Sequence, residues 1–418
     1  MNKFILLTIL TAFSTLLNAQ WNCRSRLGAF LKPVGQSNLM WAAEVETSQG
    51  YLTNSHIANG MTFLGLDYST NHSTFYFEGG VKYWRQKDLE TDYLFSNHRF
   101  GLREAFYKYQ NDQSNLMIGL HSATLNDHYL LNERMLGVSY KYSGNQWKIN
   151  FSLGSVSNDF ARNGTFCSTC YLYDIIPDRT VNSIGSDLWK TNLAAFTLSF
   201  LPGKSSDSDE FSSEGLGDEF SSMNEFETNS SFKVSELGWA VYTEFGSQVE
   251  TSFLSTGLFA DVSWGENLSF KPEILYQSGQ NNQGIIYDMK LQKDFIWGNM
   301  QKSSLLFNYY DFTDISADAN VLNRFSNILA GEVLRLDATD MPIFLTSVKH
   351  TFPKVKTHFK LQYACSNQIS SMQEVDLQCG KIFFKHLQAS AIMGYIKSDL
   401  IENDDHAVLG RLELRFNF

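Results

Sequence analysis

Hydrophobic and polar residues alternate one by one along most of this chain. In the closing segment, 406–418, one set of alternate positions is almost wholly apolar and ends in Phe416 and Phe418. The other set carries two arginines and a glutamate. A period of two places successive side chains on opposite faces of a strand, and unlike faces indicate a strand between two unlike surroundings. The segment therefore predicts an amphipathic β-strand with an apolar outer face and a polar inner face.

Seventeen further alternating segments of about ten residues precede this one, as in membrane-spanning barrels. They lie near 38–47, 61–70, 75–83, 99–110, 116–121, 136–142, 147–153, 190–201, 236–245, 256–264, 267–278, 285–295, 300–311, 342–351, 356–365, 373–383 and 386–396. The connections between them are alternately short and long, as expected for periplasmic turns and extracellular loops. We predict an all-β fold, a single transmembrane antiparallel up-and-down β-barrel of about 18 strands, with 16 as the alternative count.

The membrane assignment follows from backbone chemistry. Beyond residue 19 the sequence has no apolar run of about 18 residues, which a transmembrane helix requires. Backbone groups within lipid must be hydrogen-bonded internally, so the remaining membrane fold is a closed barrel. The two faces of each strand average out, which explains a mean hydropathy of −0.23 beside an aromatic content of 14%. Pro272 falls on an apolar face and predicts a bulge or strained position there, because it cannot donate a ladder hydrogen bond.

The N-terminus predicts export. Residues 1–19 have a lysine, an apolar stretch and a small residue before the expected cleavage site, which is the pattern of a signal peptide. We expect the barrel to occupy 20–418 without a domain boundary. Five cysteines then lie in an oxidising compartment. Cys167 and Cys170 predict a loop disulfide outside the membrane, and a bridge between Cys365 and Cys379 is an open alternative.

The polar faces supply the candidate pore lining. If they point inward, the lumen contains thirteen charged residues of both signs: Lys82, Arg103, Glu104, Lys108, Lys141, Lys148, Glu244, Asp261, Lys271, Glu273, Asp288, Lys290 and Lys360. Such a lining sets a transverse field that admits polar solutes. The alternative for each residue is an ordinary paired position on the wet inner wall of a barrel.

The region from Leu102 to Tyr142 carries short motifs in a fixed order. Arg103-Glu104-Ala105 lies in one strand, Gly119 lies in the next, and Leu131-Asn-Glu-Arg precedes the third. In this order, and in its closing strand, the chain resembles outer-membrane barrels of the porin and alginate-exporter type. The resemblance implies an outer-membrane channel, and it implies that the strand ending in Phe416 and Phe418 is the signal read by the barrel assembly machinery. Those relatives line the pore with many arginines, whereas the inner set here mixes signs and uses more lysine, so alginate itself is not implied.

Two connections have a pattern of their own. In the loop at 312–340, apolar residues recur at helical spacing between Asn320 and Gly331, which predicts a helix. That helix either constricts the lumen or packs on the rim.

The stretch 205–231 repeats Asp-Glu-Phe-Ser-Ser and is rich in acids and serines, a composition that predicts disorder. Counting strands places it on the periplasmic side, where turns are normally short. We expect it either to dock a periplasmic partner or to be a tolerated insertion. The partner-binding candidates are Asp209, Glu210, Phe211, Asp218, Glu219 and Phe220.

Two function classes follow. The first is a passive channel for small hydrophilic solutes in the outer membrane of a Gram-negative cell. The second is a non-enzymatic accessory subunit of an outer-membrane protein assembly. The sequence has no phosphate-binding loop and no metal-ligand cluster, so we expect no catalysis, cofactor or metal. The net charge of −11 argues against nucleic acid. The expected partners are lipid, the assembly machinery and, in the second class, another protein.

Overall fold

The structure is a computed structural model, and it describes residues 31–43, 55–88, 94–125, 131–156, 192–202, 232–246, 253–265, 267–279, 283–298, 301–314, 342–366, 372–383, 387–398 and 406–417. Across these ranges no helix is long and apolar enough to cross a membrane.

Eighteen β-strands account for nearly all of the described residues. In chain order, β1 to β18 are Leu31–Ala43, Ser55–Ser69, Ser73–Asp88, Leu94–Gln110, Ser114–Leu125, Leu131–Ser143, Trp147–Val156, Asn192–Phe200, Phe232–Phe245, Phe253–Trp264, Leu268–Gly279, Gln283–Trp297, Gln301–Asp314, Ile343–Phe352, Thr357–Ser366, Met372–Phe383, Leu387–Ser398 and His406–Asn417. The strand count and the predicted strand positions are confirmed. The largest difference is in β1, which begins seven residues before the predicted 38–47, whose last four residues lie outside the described part.

The strands close into one barrel. Each strand pairs antiparallel with its neighbours in sequence, and β1 also pairs with β18, for example Leu39 with Leu414. Closure removes the two sheet edges that would otherwise expose unpaired backbone groups to lipid. The predicted antiparallel up-and-down β-barrel is therefore confirmed.

The two ends of the barrel differ in the length of their connections. At one end, seven connections span three or four residues, and β1 begins and β18 ends there. We call this the turn end, and the opposite end the loop end. The half of each strand that is nearer to the turn end is its turn half, and the half nearer to the loop end is its loop half.

Exposure alternates along the strands with a period of two, as the sequence pattern predicted. Apolar side chains such as Leu258, Leu361 and Met393 are exposed, whereas alternate positions carry buried polar groups such as Gln277 and Gln362. The exposed apolar face is the outside of the barrel, and the shielded polar face is its inside. Near the turn end the outer face carries aromatic neighbours, with ring centroids 5.1 Å apart for Trp147 and Phe200 and 4.9 Å apart for Phe232 and Trp264. Aromatic girdles of this kind mark the interfacial level of a membrane barrel.

The predicted irregularity at Pro272 is present as a gap rather than a bulge. Pairing between β10 and β11 stops after Phe259 and resumes at Val262 without a change of register. A bulge lies one interface away, at Ser235, where β9 has one residue more than β10. The Ser235 hydroxyl donates to the Asp261 carbonyl oxygen at 2.9 Å, so this bond joins β9 to β10 at the bulge.

The cysteine alternative at the last strands is wrong. Cys365 pairs with Gln373 and Cys379 pairs with Phe359, so the two cysteines are six positions apart along their strands. Six positions correspond to about 20 Å, far beyond the span of a disulfide. Both thiols are free. Cys167 and Cys170, the segments 1–19, 205–231 and 315–340, and Phe418 lie outside the described residues.

Candidate pore lining

The structure places most of the predicted pore-lining residues on the inner face. Register and burial put the following on that face: Lys108, Lys141, Lys148, Glu244, Asp261, Lys271, Glu273, Asp288, Lys290 and Lys360. For Lys82 the backbone is described, opposite Arg99 of β4. Arg103 is the extra residue of a bulge where Glu78 faces Glu104 and Gly79 faces Leu102.

The inner wall of the turn half is lined by lysines and acids in ion pairs. Lys148 Nζ lies 2.8 Å from Glu236 Oε2, and this pair reaches across the intervening strand β8 on the concave side of the sheet. Lys271 and Asp261 form a second pair at 3.5 Å. These side chains remain one fifth to two fifths exposed. They form a hydrated, charged surface whose ion pairs are individually weak.

A third pair in the turn half is part of a small network. Lys302 Nζ lies 3.0 Å from Asp294 Oδ2, and Asp294 Oδ1 accepts hydrogen bonds from Ser304 Oγ at 2.6 Å and Gln292 Nε2 at 3.2 Å. The carboxylate is therefore held in place by three neighbours on the charged inner wall of the turn half.

From mid-height to the loop end the same inner wall is packed. Its carboxylates are buried: Glu244, Glu273, Asp288, Glu374 and Asp376. Beside them lies an apolar cluster drawn from ten strands, β5 to β15 without β7, which includes Leu131, Leu193, Tyr242 and Phe253. The Tyr242 hydroxyl donates to Glu244 Oε1 at 2.7 Å, and both residues are fully buried. This half therefore narrows the lumen, because its side chains contact one another across the interior and exclude water.

Glu104 links three strands in the loop half. Its Oε1 accepts from Ser122 Oγ of β5 at 3.2 Å and from Arg134 Nε of β6 at 3.3 Å. Backbone pairing between β4 and β5 stops next to it, at Ala105 and Leu120. Glu104 was expected to line the pore; its observed contacts join strands at a break in the wall.

A buried chain of polar groups runs across β5, β6 and β7. His121 Nδ1 donates to the Gly119 carbonyl oxygen at 2.9 Å, and Nε2 of the neutral ring accepts from Ser139 Oγ at 2.8 Å. Ser139 Oγ accepts in turn from Ser152 Oγ at 2.8 Å. A serine next to a histidine is a catalytic pattern, but Ser139 is already bonded on both sides and buried. The arrangement is suited to holding strands together, since each polar group has its partner.

Several inner-wall residues were not among the predicted set. They are Glu78, Glu236, Asp294, Lys302, Lys349, Glu374 and Asp376. For Glu236 and Asp294 the signal was present, because each has the same parity as a predicted residue of its strand, Glu244 and Asp288. Both lie within the predicted strands 236–245 and 285–295, so parity alone would have included them.

Comparisons with known proteins agree with this architecture. Neither a protein-family model nor a curated protein sequence matches the chain. Among solved structures it is similar to Pseudomonas aeruginosa OccK7 (OpdD), with a TM-score of 0.54 and 10% identity over 93% of this chain and 98% of that one. It is also similar to OccK3 (OpdO), with a TM-score of 0.54 and 11% identity over 93% and 95% of the two chains. The outer membrane protein OpdK of the same organism gives a TM-score of 0.51 and 8% identity over 93% and 98%. At such identities the likeness shows the shared fold, and it confirms the predicted porin-type β-barrel fold.

Proposed function

We propose that the chain is an outer-membrane channel for the passive diffusion of small hydrophilic solutes. The observation that carries this proposal is the contrast between the two faces of a closed barrel. The outer face is apolar with an aromatic level near the turn end, and the inner face carries charges of both signs from one end to the other. A wall of this kind is suited to a hydrated passage through lipid.

The orientation follows from the connections. Short turns face the periplasm in barrels of this class, so the turn end, with its lysine ion pairs, is the periplasmic side. The packed loop half is then the outer, narrower part of the passage. Solutes would meet the constriction first and the hydrated lysine-rich wall second. The chain is in this proposal a non-enzymatic, cofactor-free protein, inserted by the barrel assembly machinery.

Planar-bilayer recording of the purified protein tests the proposal. We expect stepwise increases of conductance as single barrels insert, and smaller steps when a polyethylene glycol that enters the lumen is added. Folded insertion is checked independently by heat-dependent migration on a gel. Correctly folded and inserted barrels that never conduct would contradict the channel and favour an accessory subunit.

One observation favours that second candidate. The connection between β8 and β9 joins Phe200 to Phe232 at the turn end, where the other connections are three or four residues long. An acidic segment that carries phenylalanines along its length at this place fits a partner with a basic, apolar groove, through residues such as Asp209, Phe211 and Phe220. Deleting 205–229 separates the two roles: an accessory barrel loses a partner in pull-down, whereas a channel alone keeps its conductance and loses nothing.

A further inference from the structure

The barrel wall has a break between β4 and β5. The last backbone pair joins Ala105 to Leu120, although β4 continues to Leu94 and β5 continues to Leu125. Beyond this point β4 is paired only with β3, and β5 only with β6. Among the described strands, this is the one interface where both neighbours extend well past their last pair.

The loop half of the β5–β6 hairpin leans into the lumen at this break. β5 comes close to β8, which is not its hydrogen-bonded neighbour. The side chains of Ala123, Leu125 and Leu131 are buried in the apolar cluster together with Leu193 of β8. The hairpin therefore packs against the inner face of the wall instead of completing it.

A row of glycines makes this bend sterically accessible. Gly119, Gly137 and Gly154 are paired with one another across β5, β6 and β7. A Cβ on Gly137 would lie 2.1 Å from the Leu153 carbonyl oxygen, and a Cβ on Gly119 would lie 2.3 Å from that of Ala105. Gly119 also has a φ of +124°, which other residues rarely adopt. Three glycines in register are the type of position that absorbs the dihedral change of a hinge.

The bent arrangement is held in part by the two contacts of Glu104 and is opposed by the membrane. Glu104 bonds to Ser122 and Arg134 across the break, so side-chain contacts join β4 to the hairpin where backbone hydrogen bonds join other neighbouring strands. In the opposite sense, strand edges without partners are costly at membrane depth, because lipid offers them no hydrogen bonds. The structure shows the hairpin packed inside, and pairing with β4 would be the competing arrangement.

We propose that the loop half of the β5–β6 hairpin, residues 121–125 and 131–135, is a hinged gate of the channel. It is closed in this structure and opens by extending its pairing with β4. Opening withdraws the apolar side chains from the lumen, completes the wall and breaks the Glu104–Arg134 contact. This inference rests on the proposed channel function.

A disulfide across the break tests the open arrangement. After the Arg103 bulge Leu102 has outer-face parity, so continued pairing across the bulge places it opposite Ser122, which has the same parity on β5. The double variant Leu102→Cys with Ser122→Cys, in a background whose five native cysteines are serine, should form a disulfide on oxidation, because directly paired positions lie within disulfide range. The oxidised barrel should show a larger single-channel conductance than the same protein after reduction. Failure of the disulfide to form, or equal conductance in both states, would overturn the gate.

The contact at the break supplies an independent variant. Glu104→Gln should increase the fraction of time spent in the large-conductance state by about two- to fivefold, the effect expected from losing one partly shielded ion pair. The double variant Glu104→Arg with Arg134→Glu should restore the original fraction. Asp311→Asn is the control, since Asp311 lies on the outer face near the loop end and is bonded by Tyr309 at 2.8 Å. Indistinguishable gating of Glu104→Gln and the control would count against the proposal.

These measurements separate the gate from the channel. If neither the wild type nor any variant conducts, the channel itself is wrong. If all of them conduct with the same steps and the same open fraction, the channel stands and the gate is wrong.

Discussion

The inner wall of the barrel has two halves that differ in chemistry although the same strands run through both. In the turn half, Lys148 pairs with an acid two strands away, Lys271 pairs with an acid of the adjacent strand, and both stay partly exposed to water. In the loop half, Tyr242 and Glu244 are fully buried beside an apolar cluster. The alternation of inward and outward residues is the same in both halves, so it decides only which face a side chain occupies. What surrounds that side chain depends on whether side chains from other strands pack against it or water does.

The difference has an energetic consequence. A buried carboxylate costs much free energy unless it is hydrogen-bonded, and the Tyr242 hydroxyl supplies one such bond to Glu244. A hydrated ion pair between a lysine and an acid contributes little free energy to stability, so forming or breaking it changes stability little. The loop half should therefore determine how stable the barrel is, and the turn half should tune which ions pass through it.

The strongest test of this contrast compares Tyr242→Ala with Lys148→Ala. We expect Tyr242→Ala to lower the free energy of unfolding by about 3–5 kcal/mol, because it empties a packed site and removes a partner of Glu244. Lys148→Ala should change it by less than about 1 kcal/mol, since its pair is hydrated. Urea unfolding in detergent micelles, followed by tryptophan fluorescence, measures both. Equal costs would show that the two halves are not energetically distinct.

A glycine substitution tests how tightly the wall is closed on the packed side. Gly257 lies on β10 where an added Cβ would come 1.9 Å from the Ile274 carbonyl oxygen, whereas nothing lies within 4 Å of that position on Gly410. Gly257→Ala should lower the free energy of unfolding by about 1–3 kcal/mol or more, because the backbone of β10 or β11 must shift to make room for the added methyl group. Gly410→Ala is the matched control and should be near neutral. The same unfolding midpoint for both variants would contradict the close approach of β10 and β11.

The hydrogen-bonded serines give a smaller contrast. Ser139→Ala removes the hydroxyl that donates to the buried Nε2 of His121 and should cost about 1–3 kcal/mol. Ser304→Ala removes one of three groups that hold the partly exposed Asp294, so water can replace it and the cost should stay near or below about 1 kcal/mol. The comparison uses the same unfolding measurement. A larger loss for Ser304→Ala would place the critical polar network at the turn end instead.

The smallest effect on stability should come with a clear effect on ion selectivity. Lys302→Gln removes a cation that is nearly half exposed and should change the free energy of unfolding by no more than about 1 kcal/mol. It leaves Asp294 as a net negative point on the inner wall, so the reversal potential in a salt gradient should shift toward cations. The shift should shrink at high salt, where exposed charges are screened. An unchanged reversal potential would mean that this level of the wall does not control permeation.

Much of the fold was open to prediction from sequence because a strand between lipid and lumen is a local pattern. Leu237, Trp239 and Val241 alternate with polar or small residues whatever the rest of the chain does, and such segments at regular spacing specify the strand count. The same parity identified Glu244, Asp261 and Lys271 as inner-face residues. Pro272 predicted an interrupted ladder, because the sequence itself shows that this residue has no backbone N–H group to donate.

Tertiary structure decided what each inner residue touches. Lys148 and Glu236 are 88 positions apart in the chain, and they meet only because β8 and the curvature of the wall bring their strands together. The bulge at Ser235 and the break between β4 and β5 depend on how two strands fit each other, not on either strand alone. The cysteine alternative failed for the same reason, since the register of β15 and β16 separates two residues that share a face. Sequence periodicity fixes which face a side chain occupies, because that face is set by the backbone geometry of a single strand. Register, curvature and burial are set by contacts between strands, so they exist only in the closed barrel.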